Sequence, residues 1–350
     1  MPAEIPRPEN APAEARYARQ AALARLGPEG QAKLAAATVL VAGCGSLGSA
    51  QAQLLARAGV GRLLLADRDV VELSNLPAQV LYDEQDVKER LPKAEAAARR
   101  LRAVNSGISI EPVIADITAA NAADLVGRAD LVLDGTDNFE TRYLINDAAV
   151  KAGKPWIYGG VLGTDGMVLA VRPGRGPCLR CLFEDPPDMG AVPTCSTFGV
   201  LNTAVAWVAA LQVTEAVRLL TGAEQDGFKF HSLDVWRGSA EAISAGRREN
   251  CPCCGGRRFD FLDSKRGSSA AAALCGRNAV QVTPERRLAP DFAGLRERLA
   301  PLGAVKFNGI ILEFICGGRR LTVFPDGRVL VSGTKDPAEA RSLVAKYIGS

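Results

Sequence analysis

An α/β fold is predicted for this chain: a doubly wound sheet with helices on both faces, followed by a small C-terminal α+β domain. Three observations predict it. Short β-branched runs alternate with helix-length segments through the first two-thirds of the sequence, the pattern of βαβ units and a parallel sheet. The first run, TVLVAG (residues 38–43), passes straight into a glycine-rich turn and a helix. Past a composition shift, SKRGSSAAA (264–272), short strands take over, with a hairpin turn marked by Asp326-Gly327.

Taken in order, residues 1–15 are rich in Pro, Ala and charge and are expected to be disordered. RYARQAALARLGPEGQAKL (16–34) reads as helix with a break at Gly27-Pro28. Strand 38–43 leads into SLGSAQAQLLARAG, a helix closed by Gly59, and then strand GRLLLAD (61–67). ARRLRAVN (98–105) ends a helix; ISIEPVIAD (108–116) and ADLVLDGTD (129–137) are strands. WIYGGVLGTDGMVLAVRPG gives two strands around a glycine turn, which makes the sheet mixed. GVLNTAVAWVAALQVTEAVRLLTG is a long helix, and FKFHSLDVWRG with AEAISAG is a strand pair. The tail reads strand (NAVQV), helix (DFAGLRERLAPLG), strand (GIILEFICGG), hairpin (RRLTVFPDGRVLVSG) and helix (DPAEARSLVAKYIG). The expected division is a tail at 1–15, a large domain at 16–262, a linker at 263–272 and a small α+β domain at 273–350.

Composition narrows the function. Of 350 residues, 47% are apolar, enough for a sizeable core. The 42 basic and 39 acidic residues leave a net charge of +3, which gives no reason to expect nucleic acid or an anionic membrane as partner. The N-terminus lacks the apolar stretch of a signal peptide, so a cytoplasmic, reducing location is expected. The apolar run VLNTAVAWVAALQV carries Asn202, Thr203 and Gln212, is too short to span a bilayer, and is read as buried helix. Under reducing conditions nine cysteines read as metal ligands, nucleophiles or small core residues rather than disulfides.

GCGSLG (43–48) fits the G-x-G-x-x-G turn between a strand and a helix. Gly43, Gly45 and Gly48 let backbone N–H groups approach a phosphate at the positive end of the helix. Asp67 ends the next strand, where a carboxylate holds ribose hydroxyls. An adenine nucleotide fits this pattern, and the pattern alone does not separate NAD from ATP. Cys178 and Cys181 form one C-x-x-C and Cys251 and Cys254 a second, with Cys253 inside it. Two such pairs suit a tetrahedral zinc knuckle; a redox pair is the alternative, although neither opens a βα unit. Cys195, in VPTCSTFG before the long helix, is either an activated nucleophile or an inert loop thiol. Cys44, Cys275, Cys316 and the single histidine, His231, read as structural.

RYARQ, GCGSLGS, DRDVVELSN, LPKAEAA, LDGTDNFETRYLIND, PCLRCLFEDPP, VPTCSTFGV and CPCCG occur in this order. As a set over residues 16–262 they resemble the ThiF/MoeB/HesA family, relatives of the ubiquitin-activating enzymes. The resemblance implies a Rossmann-like sheet and ATP-dependent adenylation of the C-terminal Gly-Gly carboxylate of a ubiquitin-like sulfur-carrier protein, in thiamine thiazole, molybdopterin or a related sulfur pathway. By motif it implies that Asp67 binds the ribose, Asn75 faces the nucleotide, Lys93 holds phosphate and Asp137 binds Mg2+. It implies that Arg19 reaches the ATP of the other subunit of a homodimer. It implies that Cys178, Cys181, Cys251 and Cys254 hold structural Zn2+ across the long gap, and that Cys195 attacks the activated carrier in some members. The tail shows no rhodanese loop, so the sulfur donor is expected to be a separate protein, a cysteine desulfurase or a rhodanese.

One stretch departs from the family. SNLPAQ replaces the usual SNLQRQ, so Pro77 and Ala78 stand where a phosphate-contacting arginine is usual. Losing one such contact costs about 3 kcal/mol in the transition state. Arg90 or Arg68 is a candidate to replace it. Two other readings stand beside adenylation: an NAD-dependent oxidoreductase, which the glycine loop and Asp67 allow, and a weakly active carrier-binding homologue, which SNLPAQ allows.

Overall fold

The structure is a computed structural model that describes residues 13–187, 198–223, 227–263, 271–273, 278–283 and 289–349. Runs of Leu, Val and Ala make strands that are buried on both faces, as a parallel sheet requires. β1 (Thr38–Ala42), β2 (Arg62–Asp67), β3 (Ser109–Ile114), β4 (Leu131–Asp134) and β5 (Trp156–Leu162) pair in parallel in the order β3-β2-β1-β4-β5. β6 (Asp165–Val171), β7 (Lys229–Asp234) and β8 (Ser239–Ser244) continue antiparallel, giving the mixed eight-stranded sheet the sequence predicts.

Alternate residues of β1 face two different cores. Val39 and Val41 pack with Leu55 of α3 (Ser46–Ala58), Leu101 of α5 (Lys93–Val104) and Val208 of α9 (Asn202–Thr221). Leu40 packs instead with Leu125 of α6 (Ala122–Gly127), Tyr143 of α7 (Phe139–Ala152) and Leu179 of α8 (Leu179–Leu182). α9 continues past Val213 to Thr221, so by length and composition it could cross a membrane. It packs against α3, β5 and β6, and its buried Gln212 Nε2 donates to the Asp134 and Ile157 carbonyls at 3.0 and 3.2 Å.

Local chemistry moves some boundaries. The break expected within one N-terminal helix instead starts the second. α1 spans Ala13–Ala21, and α2 (Gly27–Ala36) opens on Gly27 at φ +65° with Pro28 in its first turn. α1 thereby begins inside the stretch read as tail; residues 1–12 lie outside the described residues. β4 stops at Asp134 because that carboxylate turns the chain, accepting from Thr136 N–H and Oγ1 at 2.9 and 2.7 Å. α4 (Glu84–Glu89) and the short α10 (Asp260–Asp263) were not read from the sequence.

Most of the expected linker, 264–270, lies outside the described residues, and its last residues form strand. β9 (Ala271–Ala273), β10 (Ala279–Val282), β11 (Ala304–Phe307), β12 (Leu312–Cys316), β13 (Arg319–Val323) and β14 (Val329–Ser332) make an antiparallel sheet in the order β11-β12-β13-β14-β10-β9. The β13–β14 turn forms where Asp326-Gly327 predicts it, with Gly327 at φ +84°. α11 (Phe292–Leu299) and α12 (Pro337–Tyr347) cover one face around Phe314. The other face buries Ala279, Ile311, Phe324 and Leu330 against Val70, which follows β2.

Candidate nucleotide site and cysteine cluster

β1 and β4 lie side by side where the strand order reverses, so the loops after them diverge and leave a crevice. The glycines there have different reasons to exist. Gly43 is at φ +86°, and a Cβ on it would lie 2.6 Å from the Gly135 carbonyl oxygen. A Cβ on Gly48 would lie 1.8 Å from the Gly43 carbonyl oxygen, and one on Gly135 2.6 Å from the same atom. These three glycines let the two loops touch. Gly45 is different: the nearest atom to a Cβ there is 3.8 Å away, so nothing in the protein demands its missing side chain. It caps α3 without a side-chain hydrogen bond and leaves open space at the positive end of that helix.

Asp67 ends β2 beside this loop. Its Oδ2 accepts from Cys44 N–H and its Oδ1 from Asp69 N–H, both at 2.7 Å, which fixes the carboxylate and leaves lone pairs for further donors. Burial raises its pKa, and Lys93 opposes the rise. Lys93 opens α5 with its side chain only 5% exposed and its Nζ 3.5 Å from Asp69 Oδ2. Its N–H donates to the Asp69 carbonyl at 2.9 Å, so the segment after β2 and the start of α5 are tied together. Tyr82 Oη reaches the Cys44 and Lys93 carbonyls at 2.7 and 3.2 Å. Burial pushes the Cys44 thiol far up, with Asp67 adding to it, which fits the structural role expected.

Asp137 is exposed in the loop after β4. The helix that follows is capped by Asn138, whose Oδ1 accepts from Thr141 N–H at 2.8 Å, so Asp137 is released from the capping role. Asp134 beneath it is fully buried and pairs with Arg142 Nε at 3.2 Å; Arg142 also donates to the Thr136 carbonyl at 2.8 Å. Asn75 sits in a short 3-10 turn, its Oδ1 accepting from Glu72 N–H. Arg90 is engaged by Glu313 of β12 at 2.9 Å and Arg68 by Asp116 at 3.2 Å. Burial opposes the Arg68 charge, but Asp116, Asp69 and Asp137 outweigh it and raise its pKa.

The structure therefore brings together Gly43, Gly45, Gly48, Asp67, Lys93 and, through Arg68, Asp137. It does not bring Arg19 to them. α1 docks at the C-terminal ends of α3 and α5: Tyr17 packs on Gly59 and accepts from Asn105 Nδ2, and Gln20 donates to the Ala58 carbonyl. The glycine loop is at the opposite end of α3, about 20 Å away along its 13 residues. Cys195 and Cys275 lie outside the described residues. His231, half-buried on β7, touches none of these groups, and Cys316 is half-buried on β12.

On the other face of the sheet, the sulfurs of Cys178, Cys181, Cys251 and Cys254 all lie within 4.8 Å of one another. Cys178–Cys251 is 3.6 Å, Cys181–Cys254 3.4 Å and Cys178–Cys181 4.0 Å. Four thiolates on one tetrahedral zinc are about 3.8 Å apart, so the donor set fits a divalent metal with no position left open. Cys253 lies outside this set of four, and Asn146 Nδ2 of α7 donates to its sulfur at 3.2 Å. Hydrogen bonding to Cys178 and burial push the Cys181 thiol up to about 12. Burial and Cys181 push Cys254 up to about 11.

The Asp134–Arg142 pair, Tyr82 and the buried Gln51–Gln212 contact (2.6 Å) were not read as parts of the site. Arg142 lies within LDGTDNFETRYLIND, so that motif carried its signal; nothing local marks Tyr82 or the glutamines.

Residues 17–253, more than half of the chain, match the ThiF family. The chain belongs to the ThiF family. Over 337 residues this ThiF-family chain is 43% identical to the sulfur carrier protein ThiS adenylyltransferase of Bacillus subtilis, covering 95% of this chain and 99% of that one. It is 42% identical over 247 residues to the sulfur carrier protein adenylyltransferase of Thermus thermophilus, covering 69% of this chain and 90% of the relative. Among solved structures, that of E. coli MccB with ATP is similar at a TM-score of 0.58 and 25% identity, covering 65% of this chain and 68% of that one. The Bacillus match runs on into the C-terminal sheet of this ThiF-family chain.

Proposed function

We propose that this protein adenylates the C-terminal Gly-Gly carboxylate of a ubiquitin-like sulfur-carrier protein with ATP, releasing pyrophosphate. The observation that carries the reading is the open space at Gly45, with the carboxylate of Asp67 and the ammonium of Lys93 set beside the same helix end. A buried cation next to the ribose carboxylate suits a triphosphate better than NAD, and the names of the relatives support the same choice.

The carrier carboxylate is ionised near pH 7, so no general base is needed. Its oxygen bonds to the α-phosphorus as the bond to the bridging oxygen of pyrophosphate breaks. The protein positions the groups and offsets phosphate charge. The N–H groups at the start of α3 and Lys93 receive phosphate, Asp67 accepts from the ribose hydroxyls, and Asn75 borders the nucleotide. Asp137, an exposed hard-oxygen donor, suits Mg2+, which neutralises phosphate charge when bound. Cys178, Cys181, Cys251 and Cys254 suit structural Zn2+. Arg19, remote from the site of its own chain, serves the site of a second copy in a homodimer. Residues 16–262 form the adenylating domain and 273–350 a small α+β C-terminal domain, in a cytoplasmic protein that hands the acyl-adenylate to a separate sulfur donor. Cys195 is assigned no step.

ATP–pyrophosphate exchange with a carrier ending in Gly-Gly tests this. Exchange that requires the carrier and falls about 100-fold in Lys93→Ala is expected. Tight carrier binding without exchange, with every carrier of the source organism, would overturn adenylation in favour of a binding homologue.

A further inference from the structure

The C-terminal sheet grips both segments that deliver the site residues. Val70, three residues past Asp67, is 1% exposed among Ala279, Ile311, Phe324 and Leu330. Asn308 Nδ2 donates to the Glu89 and Arg90 carbonyls at 3.0 and 3.2 Å, and Glu313 holds Arg90, just ahead of Lys93. Val71 N–H donates to the Leu91 carbonyl at 2.9 Å, which joins the two gripped segments to each other.

A polar chain runs through the same contact. Arg328, 2% exposed, lies over the Phe324 ring, and its Nε donates to Asp326 Oδ2 at 2.6 Å. Its Nη1 donates to Gln281 Oε1 at 3.1 Å and comes within 3.4 Å of the Arg68 carbonyl. A guanidinium can only donate, so Gln281 must present its oxygen to Arg328 and its Nε2 to Asp116 Oδ2, at 3.0 Å. Asp116 in turn accepts from Arg68 Nη1 at 3.2 Å. Arg328 thus fixes the orientation of the Gln281 amide, which donates to the carboxylate that holds Arg68. The Arg68 side chain remains 31% exposed, with Asp69 and Asp137 close enough to act on its charge.

We propose that Arg328 of the C-terminal sheet is a positioning residue for the nucleotide site: through Gln281 and Asp116 it aims Arg68 at the phosphates of ATP. This rests on the adenylation reading. Arg68 supplies a preorganised cation at the end of β2, next to Asp69 and Asp137, and the C-terminal domain holds it in register. Ala78 carries no charge, so the cation on this side comes from Arg68.

The test is a double-mutant cycle on the full chain, read by pyrophosphate exchange with ATP and carrier varied separately. Arg68→Ala is expected to lower kcat/KM for ATP at least ~10-fold and leave the KM for carrier unchanged. Arg328→Lys keeps the charge and loses the fork; a loss of about 5–10-fold in the same parameter is expected, again without effect on carrier KM. The double variant is expected to be no worse than Arg68→Ala. If thermal melting shows that Arg328→Lys does not fold, Asp116→Asn enters the cycle in its place. Unchanged ATP kinetics in the folded variant, or losses that multiply in the double variant, would overturn the proposal while leaving adenylation intact. A wild-type protein that binds no ATP by calorimetry would overturn the adenylation reading and this inference together.

Discussion

Asp134 shows how much the site depends on one buried carboxylate. It is fully buried, and burial raises its pKa from 3.8 with Arg142 opposing. A carboxyl whose folded pKa lies above its unfolded value holds its proton more tightly when folded. Its contribution to stability is present at low pH and is lost as pH rises through the folded value. Arg142→Met removes the opposing charge and pushes the carboxyl further up. The expected loss is about 3–5 kcal/mol at neutral pH and smaller at acidic pH, where the raised carboxyl takes up a proton. Urea unfolding at the two pH values measures this; an equal loss at both would show that the pairing charge is not what holds the loop. Residues of this kind are only half legible in sequence. Gly43, Gly45, Gly48 and Asp67 are visible because the turn is local and its spacing is set by backbone geometry. The Arg68 chain is invisible because its links join residues 48, 165 and 47 positions apart.

At the scale of elements, the cysteine cluster ties two knuckles 73 residues apart to the middle of α7. Asn146 accepts from Leu179 N–H at 2.9 Å and donates to Cys253, while Asp147 accepts from Phe261 N–H at 2.9 Å. A metal held across so long a loop would couple its binding free energy to folding. Cys253→Ser is expected to keep a full equivalent of zinc by elemental analysis, and Cys254→Ser to lose most of it and melt at lower temperature. The reverse order would mean that Cys253 is the ligand. The paired spacing made this cluster legible, with Cys253 as the thiol left over, and the fold gathers the same four sulfurs. α4 was missed for a plain reason: six residues carry no stripe of apolar positions, and it ends on Arg90 at φ 55°, where a glycine would have been the signal.

For the whole molecule, the position of α1 has the largest consequence. Arg19 stands about one α3 length from the glycine loop of its own chain. If it completes the site of a second copy, two inactive variants restore each other. Mixed after partial unfolding and reassociation, Arg19→Ala and Lys93→Ala chains form heterodimers in which one site has both residues. Recovery of about a quarter of wild-type exchange is expected at equal mixing. No recovery, with heterodimers present by mass spectrometry, would place Arg19 in its own site or outside catalysis. The two-sheet plan itself was legible, because strand and helix patterns change character at the composition shift. How the second sheet seats on the first was not: Val70 and Phe324 look like ordinary core residues until they meet.

The glycine loop separates two kinds of intolerance that a survey of all single substitutions could resolve. At Gly43, Gly48 and Gly135 any side chain collides with backbone, so cellular abundance and activity should fall together. At Gly45 an added methyl meets nothing closer than the Gly135 carbonyl oxygen at 3.8 Å, so Gly45→Ala should accumulate as the wild type does and yet be silent in exchange. A position that is silent in one readout and ordinary in the other marks where the protein ends and its ligand begins.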